Sequence, residues 1–376
     1  MRTASLLVMS TRAASLITSC SARTSPSVSS TTMKAHPSWL SYHRDEARTK
    51  RLNGAFGRTK ADVIDMITKW QVTGCMLQMD GWSDRRNHPH PNVMVSSAIG
   101  TVFWKSVYME GKDKDAAMYF KILDGVMKEI RSNAVIGVVM DNARVCVKVG
   151  KMVEAAYPQI FCVGCTAHAL DLALKDMYKQ LGWLAAVIDA GNAVGKFFTN
   201  VDKARALYDK FSLNLKLKRS AVTRFATSHD MLASLHRGRN ALEKCIRDTA
   251  WMDKMVRANQ LAAFREVTFI VLGRDRFWDK VDKAIAVMSL VVELLLLVDG
   301  PDATMSKVYF EIDALVKRMY GLDCVTPGEK SDIEDILMHR WSFMRSELHC
   351  AAAFIDLEYW CRCEYPDKGI RPSFCT

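Results

Sequence analysis

The amino-acid sequence predicts an α/β unit followed by a region built from helices. Val135 to Met140 (VIGVVM) is wholly apolar, which is typical of a central strand buried on both faces. Shorter strand-like runs and helical patterns alternate on either side of it, between Asp62 and Leu181. Beyond Leu181 the strand patterns fade, while apolar residues at helical spacing continue almost to the end of the chain.

The first predicted elements are a helix, a strand and a pair of strands. Asp62 to Thr73 has apolar residues at helical spacing. Cys75 to Met79 is a short apolar run that leads into a predicted turn at Asp80-Gly81-Trp82. Asn92 to Ile99 and Thr101 to Met109 are rich in valine and aromatic residues, and a tight turn between them predicts a hairpin.

Crossover units complete the predicted α/β part. Asp115 to Arg131 is an amphipathic helix, and it precedes the apolar strand that ends at Asp141. A helix over Arg144 to Ala156, a short strand over Ile160 to Val163 and a helix over Thr166 to Leu181 follow. The order β-β-β-α-β-α-β-α is that of a ribonuclease-H-like fold.

The remaining sequence predicts helices and divides the chain into four segments. The predicted helices are Ala185 to Phe198, Asp202 to Phe211, Ala226 to Asp248, Asp253 to Leu272, Phe277 to Val298, Ser306 to Tyr320, Ser331 to Arg345 and Leu348 to Trp360. We predict a tail over residues 1–35, an α/β core over 36–180, a mostly helical insertion or appended domain over 181–357, and an irregular tail over 358–376.

The N-terminal tail has an unusual composition. It is rich in serine and threonine, it carries Arg2, Arg12 and Arg23, and no acidic residue precedes Asp45. This composition resembles an organellar transit peptide. The simpler interpretation, which we favour, is a disordered tail or a misplaced start codon with Met33 as the true start.

Composition narrows the class of protein. The 376 residues include 52 lysines and arginines against 41 acidic residues, a formal charge of +11 that makes DNA or RNA a plausible partner. Eleven scattered cysteines in a chain of this length do not form a small disulfide framework, and we read them as mostly reduced. The longest apolar stretch, Ala284 to Val298, is short for a bilayer and contains Glu293, so no membrane contact is expected.

Asp80 and Asp141 are the first candidate site residues. Each follows an apolar run, and the two runs are neighbouring strands in the predicted fold. Carboxylates at adjacent strand ends suit a hard cation such as Mg²⁺, and two such ions clamp the oxygens of a phosphoryl transfer. The alternative is that both are ordinary turn residues, because Asp-Gly and Asp-Asn are common in turns.

Two further clusters carry possible chemistry. Cys162, Cys165 and His168 have metal-ligand spacing, but a structural zinc site needs four ligands and no matching second pair follows, so we expect no zinc. The basic residues Lys216, Lys218 and Arg219 precede Thr223-Arg224-Phe225. A basic run beside an exposed aromatic suits phosphate contact and base stacking, and the alternative is a solvated linker.

Several motifs in a fixed order carry a family resemblance. They are Trp70-(x)2-Thr73-Gly74-Cys75, Asp80-Gly81-Trp82-Ser83-Asp84, Gly100-Thr101, Phe103, Lys105-Ser106-Val107, Val138-Val139-Met140-Asp141-Asn142-Ala143, Cys165-(x)2-His168-(x)2-Asp171-Leu172, Thr223-Arg224-Phe225-Ala226-Thr227, Leu297-Val298-Asp299-Gly300, Arg340-Trp341 and Leu348-His349-Cys350-Ala351-Ala352. Between about residue 36 and residue 357 the chain resembles the catalytic core of hAT-superfamily transposases. More narrowly, it resembles the uncharacterised domain that follows BED zinc fingers in plant-type hAT-like proteins.

The resemblance implies a ribonuclease-H-like DD-E core with a helical insertion. Asp80 and Asp141 match the first two catalytic carboxylates, which hold Mg²⁺ in the family. Cys165 and His168 match a motif beside the active site. Arg224 and Phe225 match a motif that approaches DNA at the cleavage site, where many relatives carry tryptophan instead of phenylalanine.

Two departures from the family pattern bear on activity. No BED finger precedes the core, and no Ser-x-x-Ser-Glu-Arg-like motif supplies the third carboxylate or the dimerisation region that contains it. Glu347, Glu358 and Glu364 lie outside any such motif. Phosphoryl transfer relies on positioned metal ions, so we expect weak Mg²⁺ binding and little or no transposase activity.

The sequence therefore predicts a transposase-derived, catalytically incomplete protein that associates with duplex DNA. The resemblance implies the nucleus as its compartment, and an organelle is the weaker alternative. A protein-interaction module and a non-functional transposon fragment remain open as other functions.

Overall fold

The computed structural model describes residues 43–84, 86–111, 113–221, 224–252, 260–273, 276–300 and 304–360. The predicted N-terminal tail, and the predicted C-terminal tail beyond residue 360, lie outside these ranges. The described residues form two compact units, which meet in sequence between Gly164 and Cys165. We call them unit 1 and unit 2. No helix among the described residues is both long enough and apolar enough to cross a membrane.

Unit 1 combines helices with one sheet. A helical turn (Arg44–Glu46) and a π-helical segment (Ala47–Arg51) lead into the first long helix. The named elements are α1 (Leu52–Thr73), β1 (Cys75–Ser83), β2 (Pro89–Ser97), β3 (Gly100–Ser106), α2 (Ala116–Ile130), β4 (Val135–Met140), α3 (Arg144–Ala156) and β5 (Phe161–Gly164). The predicted α/β class is confirmed, and these elements follow the predicted order along the chain.

The sheet of unit 1 is mixed. Its strand order is β3-β2-β1-β4-β5, with antiparallel pairing on the β3-β2-β1 side and parallel pairing of β4 with both β1 and β5. The chain therefore builds a three-stranded meander first, then adds two strands by helical crossovers. The core includes the fully buried side chains of Leu77, Val93, Val95 and Val138.

The predicted end of β1 is wrong. The strand does not turn at Asp80-Gly81-Trp82 but continues to Ser83. The reason is cross-strand pairing, because Trp82 lies opposite His90 and Ser83 opposite Pro89 in β2. The helix before it is also longer than predicted, since α1 begins at Leu52 rather than Asp62.

Gly137 marks a close approach of side chain and backbone within the sheet. A Cβ atom built on this residue of β4 would lie 2.7 Å from the sulfur of Met76 and 3.1 Å from the carbonyl oxygen of Phe161. Met76 is the register partner of Gly137 on β1, so its side chain covers the space that a larger residue would need. The glycine in the apolar run thus leaves room for the Met76 side chain and for the Phe161 carbonyl oxygen.

Unit 2 is helical. Its named elements are α4 (Thr166–Gln180), α5 (Gly182–Asn200), α6 (Asp202–Phe211), α7 (Ala226–Arg237), α8 (Arg239–Arg247), α9 (Thr249–Met252), α10 (Leu261–Val271), α11 (Phe277–Val298), α12 (Met305–Tyr320), α13 (Pro327–Met344), α14 (Glu347–Ile355) and α15 (Leu357–Trp360). The predicted helix over Ala226 to Asp248 is divided at Gly238, and residues 253–259 of another predicted helix lie outside the described residues.

The helix α4 groups with unit 2, whereas the sequence suggested a boundary at residue 180. Its buried residues Ala169, Leu170, Ala173, Leu174 and Met177 belong to the hydrophobic core of the second unit. Arg340 of α13 also forms an ion pair with Asp176 on the same helix, and both side chains are largely buried. Helical spacing indicates that α4 exists but not which core it joins, because that depends on partners far along the chain.

We predict that Gly137→Ala destabilises the protein by about 1–3 kcal/mol, the usual cost of overpacking a close-packed core. Gly125→Ala is the matched control, because Gly125 lies in α2 with no atom within 4 Å of its built Cβ. Replacing a helical glycine by alanine stabilises by about 0.5–1 kcal/mol. Chemical denaturation of both variants measures the difference, and equal effects of the two substitutions would contradict the packing argument.

A buried histidine, His349, and a half-buried one, His229, predict acid sensitivity of unit 2. Burial lowers the pKa of His349, which is 1% exposed, and that of His229, whose imidazole Nε2 lies 3.0 Å from the hydroxyl of Ser289. A lowered folded-state pKa gives stability that is present above the unfolded pKa and is lost as the pH falls below it.

We therefore expect the thermal unfolding midpoint to fall as the pH is lowered from about 7.5 towards 5, across the ordinary histidine pKa of about 6.5. His349→Asn should flatten this dependence, and His339→Asn, at an exposed position of α13, is the control. A pH profile unchanged by His349→Asn would remove that residue from the explanation.

Candidate functional site

The sheet of unit 1 brings Asp80 and Asp141 to the same edge. The parallel pairing of β1 with β4 runs to Met79 opposite Met140. Asp80 is the next residue of β1, and Asp141 directly follows the end of β4. Neighbouring strands lie about 4.8 Å apart, so the two backbone positions are adjacent. Asp80 is exposed and Asp141 is half-buried, and both are therefore open to solvent.

Cys146 in the first turn of α3 lies near both carboxylates. Burial, a hydrogen bond with Asp141 and the negative charges of Asp141 and Asp80 raise the pKa of its thiol to about 12. The thiol is thus a protonated group at neutral pH and a poor nucleophile. Asp141 also accepts a hydrogen bond from the backbone N–H of Ala143 at 2.8 Å, which fixes its carboxylate at the start of α3.

Two carboxylates are a partial site for a divalent ion. Mg²⁺ is commonly held by one or two carboxylates together with substrate phosphates, so Asp80 and Asp141 suit a ligand that brings oxygens of its own. No group of three or more metal-binding side chains occurs among the described residues. Any Mg²⁺ bound here would therefore take most of its ligands from water or from a phosphate.

A cluster of rings on the same strands was missed by the sequence analysis. Trp82 stacks on His90 with ring centroids 5.0 Å apart, and Tyr108 lies 5.2 Å from His90 and 5.5 Å from His88. Trp82 is two residues beyond Asp80 on β1, so both side chains project from one face of the sheet. Trp82 and Tyr108 are 46% and 43% exposed. The register of β1 with β2 places Trp82 opposite His90, and backbone hydrogen bonds from Val107 to Pro91 and from Met109 to Pro89 bring Tyr108 beside them.

Asp84 closes the turn beneath these rings. Its carboxylate accepts hydrogen bonds from the backbone N–H groups of Arg86 and His88, both at 2.8 Å, and contacts the His88 ring at 2.9 Å. The hydrogen bond from the His88 backbone is the main cause that lowers the pKa of Asp84. The turn between β1 and β2 is thus organised around one ionised side chain.

In unit 2 the segment that carries Arg224 and Phe225 is attached to α4, the helix that carries His168. His168 is half-buried in the first turn of α4, and Asp171 lies one turn further along the same helix. Asp171 accepts a hydrogen bond from the backbone N–H of Ala226 at 3.1 Å. This contact between distant positions in sequence holds the segment that carries Arg224 and Phe225 beside α4.

The expectation that Phe225 is exposed is wrong. Its ring is half-buried, packs against the core of unit 2 and lies 5.2 Å from the ring of Tyr178. Arg224 is exposed, while Thr223 lies outside the described residues. Cys165 is half-buried and immediately precedes α4. Phe225 therefore acts as an anchor for the segment, and Arg224 is its accessible group.

The basic run before this segment has a fixed backbone. The backbone N–H of Lys218 donates to the hydroxyl of Ser234 at 2.9 Å, and that of Ala221 donates to the hydroxyl of Thr227 at 2.7 Å. Both acceptors belong to α7, so the run is attached to a helix rather than loose.

The cationic side chains of this basic segment differ in whether an acidic side chain already neutralises them. The ammonium of Lys218 is 2.7 Å from the carboxylate of Asp230 and is partly neutralised. Lys216, Arg219 and Arg224 are exposed and form no ion pair with any described residue. We call these three side chains the basic loop surface. A fixed backbone with free cationic ends is suited to an extended anion.

One comparison with known proteins gives a match. Residues 42–194 match the family model described as Domain of unknown function (DUF659), a family associated with hAT transposases. The matched range is less than half of the chain and covers the described residues of unit 1, α4 and most of α5. It suggests a transposase-derived protein of unknown function. No curated protein matches the chain.

We predict that Asp171→Ala loosens the segment that carries Arg224. Loss of a hydrogen bond to a charged acceptor costs about 1.5–3 kcal/mol, and the Ala226 N–H should exchange faster with solvent. Asp313→Ala is the control, because Asp313 forms only an exposed pair with Lys317 on α12. Hydrogen exchange resolved to peptides measures both, and unchanged exchange around Ala226 would show that the contact does not hold the segment.

Proposed function

We propose that this chain is a transposase-derived protein that binds duplex DNA through the basic loop surface of unit 2. The observation that carries this proposal is the set of three exposed cations, Lys216, Arg219 and Arg224, on a backbone anchored to α4 and α7. Phosphate contacts position proteins on DNA and are made mostly by such side chains. Binding through them is independent of base sequence and weakens as salt rises.

Unit 1 supports the same proposal through its topology and carboxylates. We propose that its sheet is a ribonuclease-H-like core, because the order β3-β2-β1-β4-β5 makes neighbours of the strands that carry Asp80 and Asp141. In that arrangement the two carboxylates face a phosphodiester. Mg²⁺ bound there would polarise a phosphate oxygen, and the two aspartates would orient the ion.

We further propose that the chain does not cleave DNA and acts in the nucleus as a DNA-associated protein. Asp80 and Asp141 provide two of the three carboxylates that the resemblance implies. Of the other candidates, Glu358 lies 3.7 Å from the ammonium of Lys307, and Glu347 is exposed in the first turn of α14. Glu364 lies outside the described residues.

The DNA-binding proposal predicts that the affinity for DNA falls steeply with salt concentration, and that replacing the basic side chains reduces this dependence. Replacing Lys216, Arg219 and Arg224 together by glutamine should reduce the slope of log K against log salt by about 2.7, since each phosphate contact contributes about 0.9. Fluorescence anisotropy with a mixed-sequence duplex measures the slope.

The control removes the same charge elsewhere on unit 2. Lys244, Arg247 and Lys280 are exposed cations without an ion pair in the part of the chain that the structure describes. Their glutamine variants should leave the slope nearly unchanged. An equal reduction in both triple variants would mean that net charge alone drives binding, and a slope near zero for the unaltered chain would contradict the proposal.

We predict no cleavage of a DNA end bearing terminal repeats by this chain in Mg²⁺ or Mn²⁺. Two carboxylates suffice for one Mg²⁺ that shares a phosphate ligand, but they supply too few ligands to position the two ions that clamp a phosphoryl transfer. Gel analysis of end-labelled DNA tests this. Cleavage that is lost in both Asp80→Ala and Asp141→Ala would overturn the prediction, whereas cleavage that survives Asp80→Ala would indicate a contaminating nuclease.

A protein-interaction module is a second candidate function, favoured by one observation. Four apolar side chains near the end of the described chain, Phe343, Phe354, Ile355 and Leu357, are 69–74% exposed. Exposed apolar side chains grouped in sequence are typical of contact surfaces. If this function is the main one, Phe343→Ser and Leu357→Ser should abolish partner capture, and DNA binding should be negligible.

A further inference from the structure

One helix of unit 1, α3, exposes a row of positively charged side chains to solvent. The inward face of α3 carries Cys146, Val149 and Val153, which are buried. Arg144, Lys148 and Lys151 occupy positions i, i+4 and i+7 on the opposite face, and all three are exposed. We call these three residues the α3 stripe.

The side chains of the α3 stripe have no ion-pair partner among the described residues of unit 1, although the carboxylate of Asp141 lies at the start of the helix. None of the three forms an ion pair with a described residue. The acidic residue of the helix, Glu154, instead accepts a hydrogen bond from the backbone N–H of Cys162 at 3.0 Å. The first turn of α3 contains no acidic residue, so Arg144 opposes the helix dipole, and like charges one turn apart repel each other.

Other helices of the same unit show the ordinary arrangement of solvated lysines. On α1, Lys69 pairs with Asp65 at 2.7 Å, and on α2, Lys128 pairs with Asp124 at 2.8 Å, both with i,i+4 spacing. The α3 stripe lacks such acids. Repulsion between its like charges destabilises the helix, and binding of an anion would relieve that repulsion.

The position and length of the stripe suit a nucleic-acid backbone. Arg144 follows Asp141 by three residues, so the stripe starts at the sheet edge that carries the two carboxylates. With a rise of about 1.5 Å per residue, Arg144 and Lys151 lie about 10 Å apart along the helix. A DNA strand presents a phosphate about every 3.4 Å of its axis, so the stripe spans several phosphates.

We propose that the α3 stripe is a second phosphate-contact surface for duplex DNA, separate from the basic loop surface. This inference rests on the proposed DNA-binding function. The inference adds that unit 1 itself contacts the phosphate backbone of DNA, next to Asp80 and Asp141. Contacts at this place would hold a phosphodiester near the two carboxylates, and they would be independent of the base sequence.

The experiment compares salt slopes of paired variants in the full chain. Lys148→Gln with Lys151→Gln should reduce the slope of log K against log salt by about 1.8, the contribution of two phosphates. Lys60→Gln with Lys121→Gln is the matched control, because both lysines are exposed on α1 and α2 without an ion pair in the described residues. The control should leave the slope nearly unchanged.

The outcomes separate this inference from the proposed function. If the basic-loop variant lowers the slope and the stripe variant does not, the stripe proposal is wrong and the proposed function stands. If the unaltered chain shows no salt-dependent binding, both are wrong. If the control pair lowers the slope as much as the stripe pair, binding follows net charge and no local surface exists on α3.

A second measurement needs no variant. Lysine acetylation of the unaltered chain, read by mass spectrometry, should show Lys148 and Lys151 protected when duplex DNA is added, with Lys121 modified equally with and without DNA. Unchanged modification of Lys148 and Lys151 at a DNA concentration that saturates binding would overturn the proposal.

Discussion

The parallel pairing of β1 with β4 is the constraint on which unit 1 depends. It places two apolar strands in contact and makes Asp80 and Asp141 adjacent at the point where the parallel pairing ends. Gly137 favours this close pairing, because the Met76 side chain and the Phe161 carbonyl oxygen occupy the space beside it. The hairpin β1-β2 then extends beyond the pair and carries Trp82 to the same face. The geometry of the carboxylates is therefore a consequence of backbone packing rather than of interactions between the carboxylates themselves.

In unit 2 the helix α4 has a comparable role. Its apolar face enters the core, while three of its side chains hold other segments. Asp171 holds the Ala226 N–H, Asp176 pairs with Arg340, and Tyr178 packs against Phe225. The His168 motif and the Arg224 motif are more than 50 residues apart in sequence, and α4 is what joins them. This organisation anchors the backbone that carries the cationic groups, which would reduce the entropy lost in the proposed binding to a phosphate backbone.

Local patterns in the sequence predict part of this arrangement. The apolar run before Asp141, the order of strands and helices, and the helical character of the second half all follow from periodicity. The extension of β1 through Trp82 does not, because Asp80-Gly81 has the composition of a turn and only pairing with β2 keeps it extended. The half-burial of Phe225 likewise depends on Tyr178, a contact between positions far apart in the chain. The difference between Lys218, which is paired, and Arg219, which is not, depends on where Asp230 lies.

The central claim is that the cationic groups on the anchored run face DNA. Site-specific photo-crosslinking tests it most directly, with a crosslinking amino acid in place of Arg219 and, separately, in place of Lys317, an exposed residue of α12. At low salt with a duplex of mixed sequence, we expect DNA adducts at position 219 and essentially none at position 317. Adducts at 317 equal to those at 219, or none at 219 while the chain still binds DNA, would contradict the account.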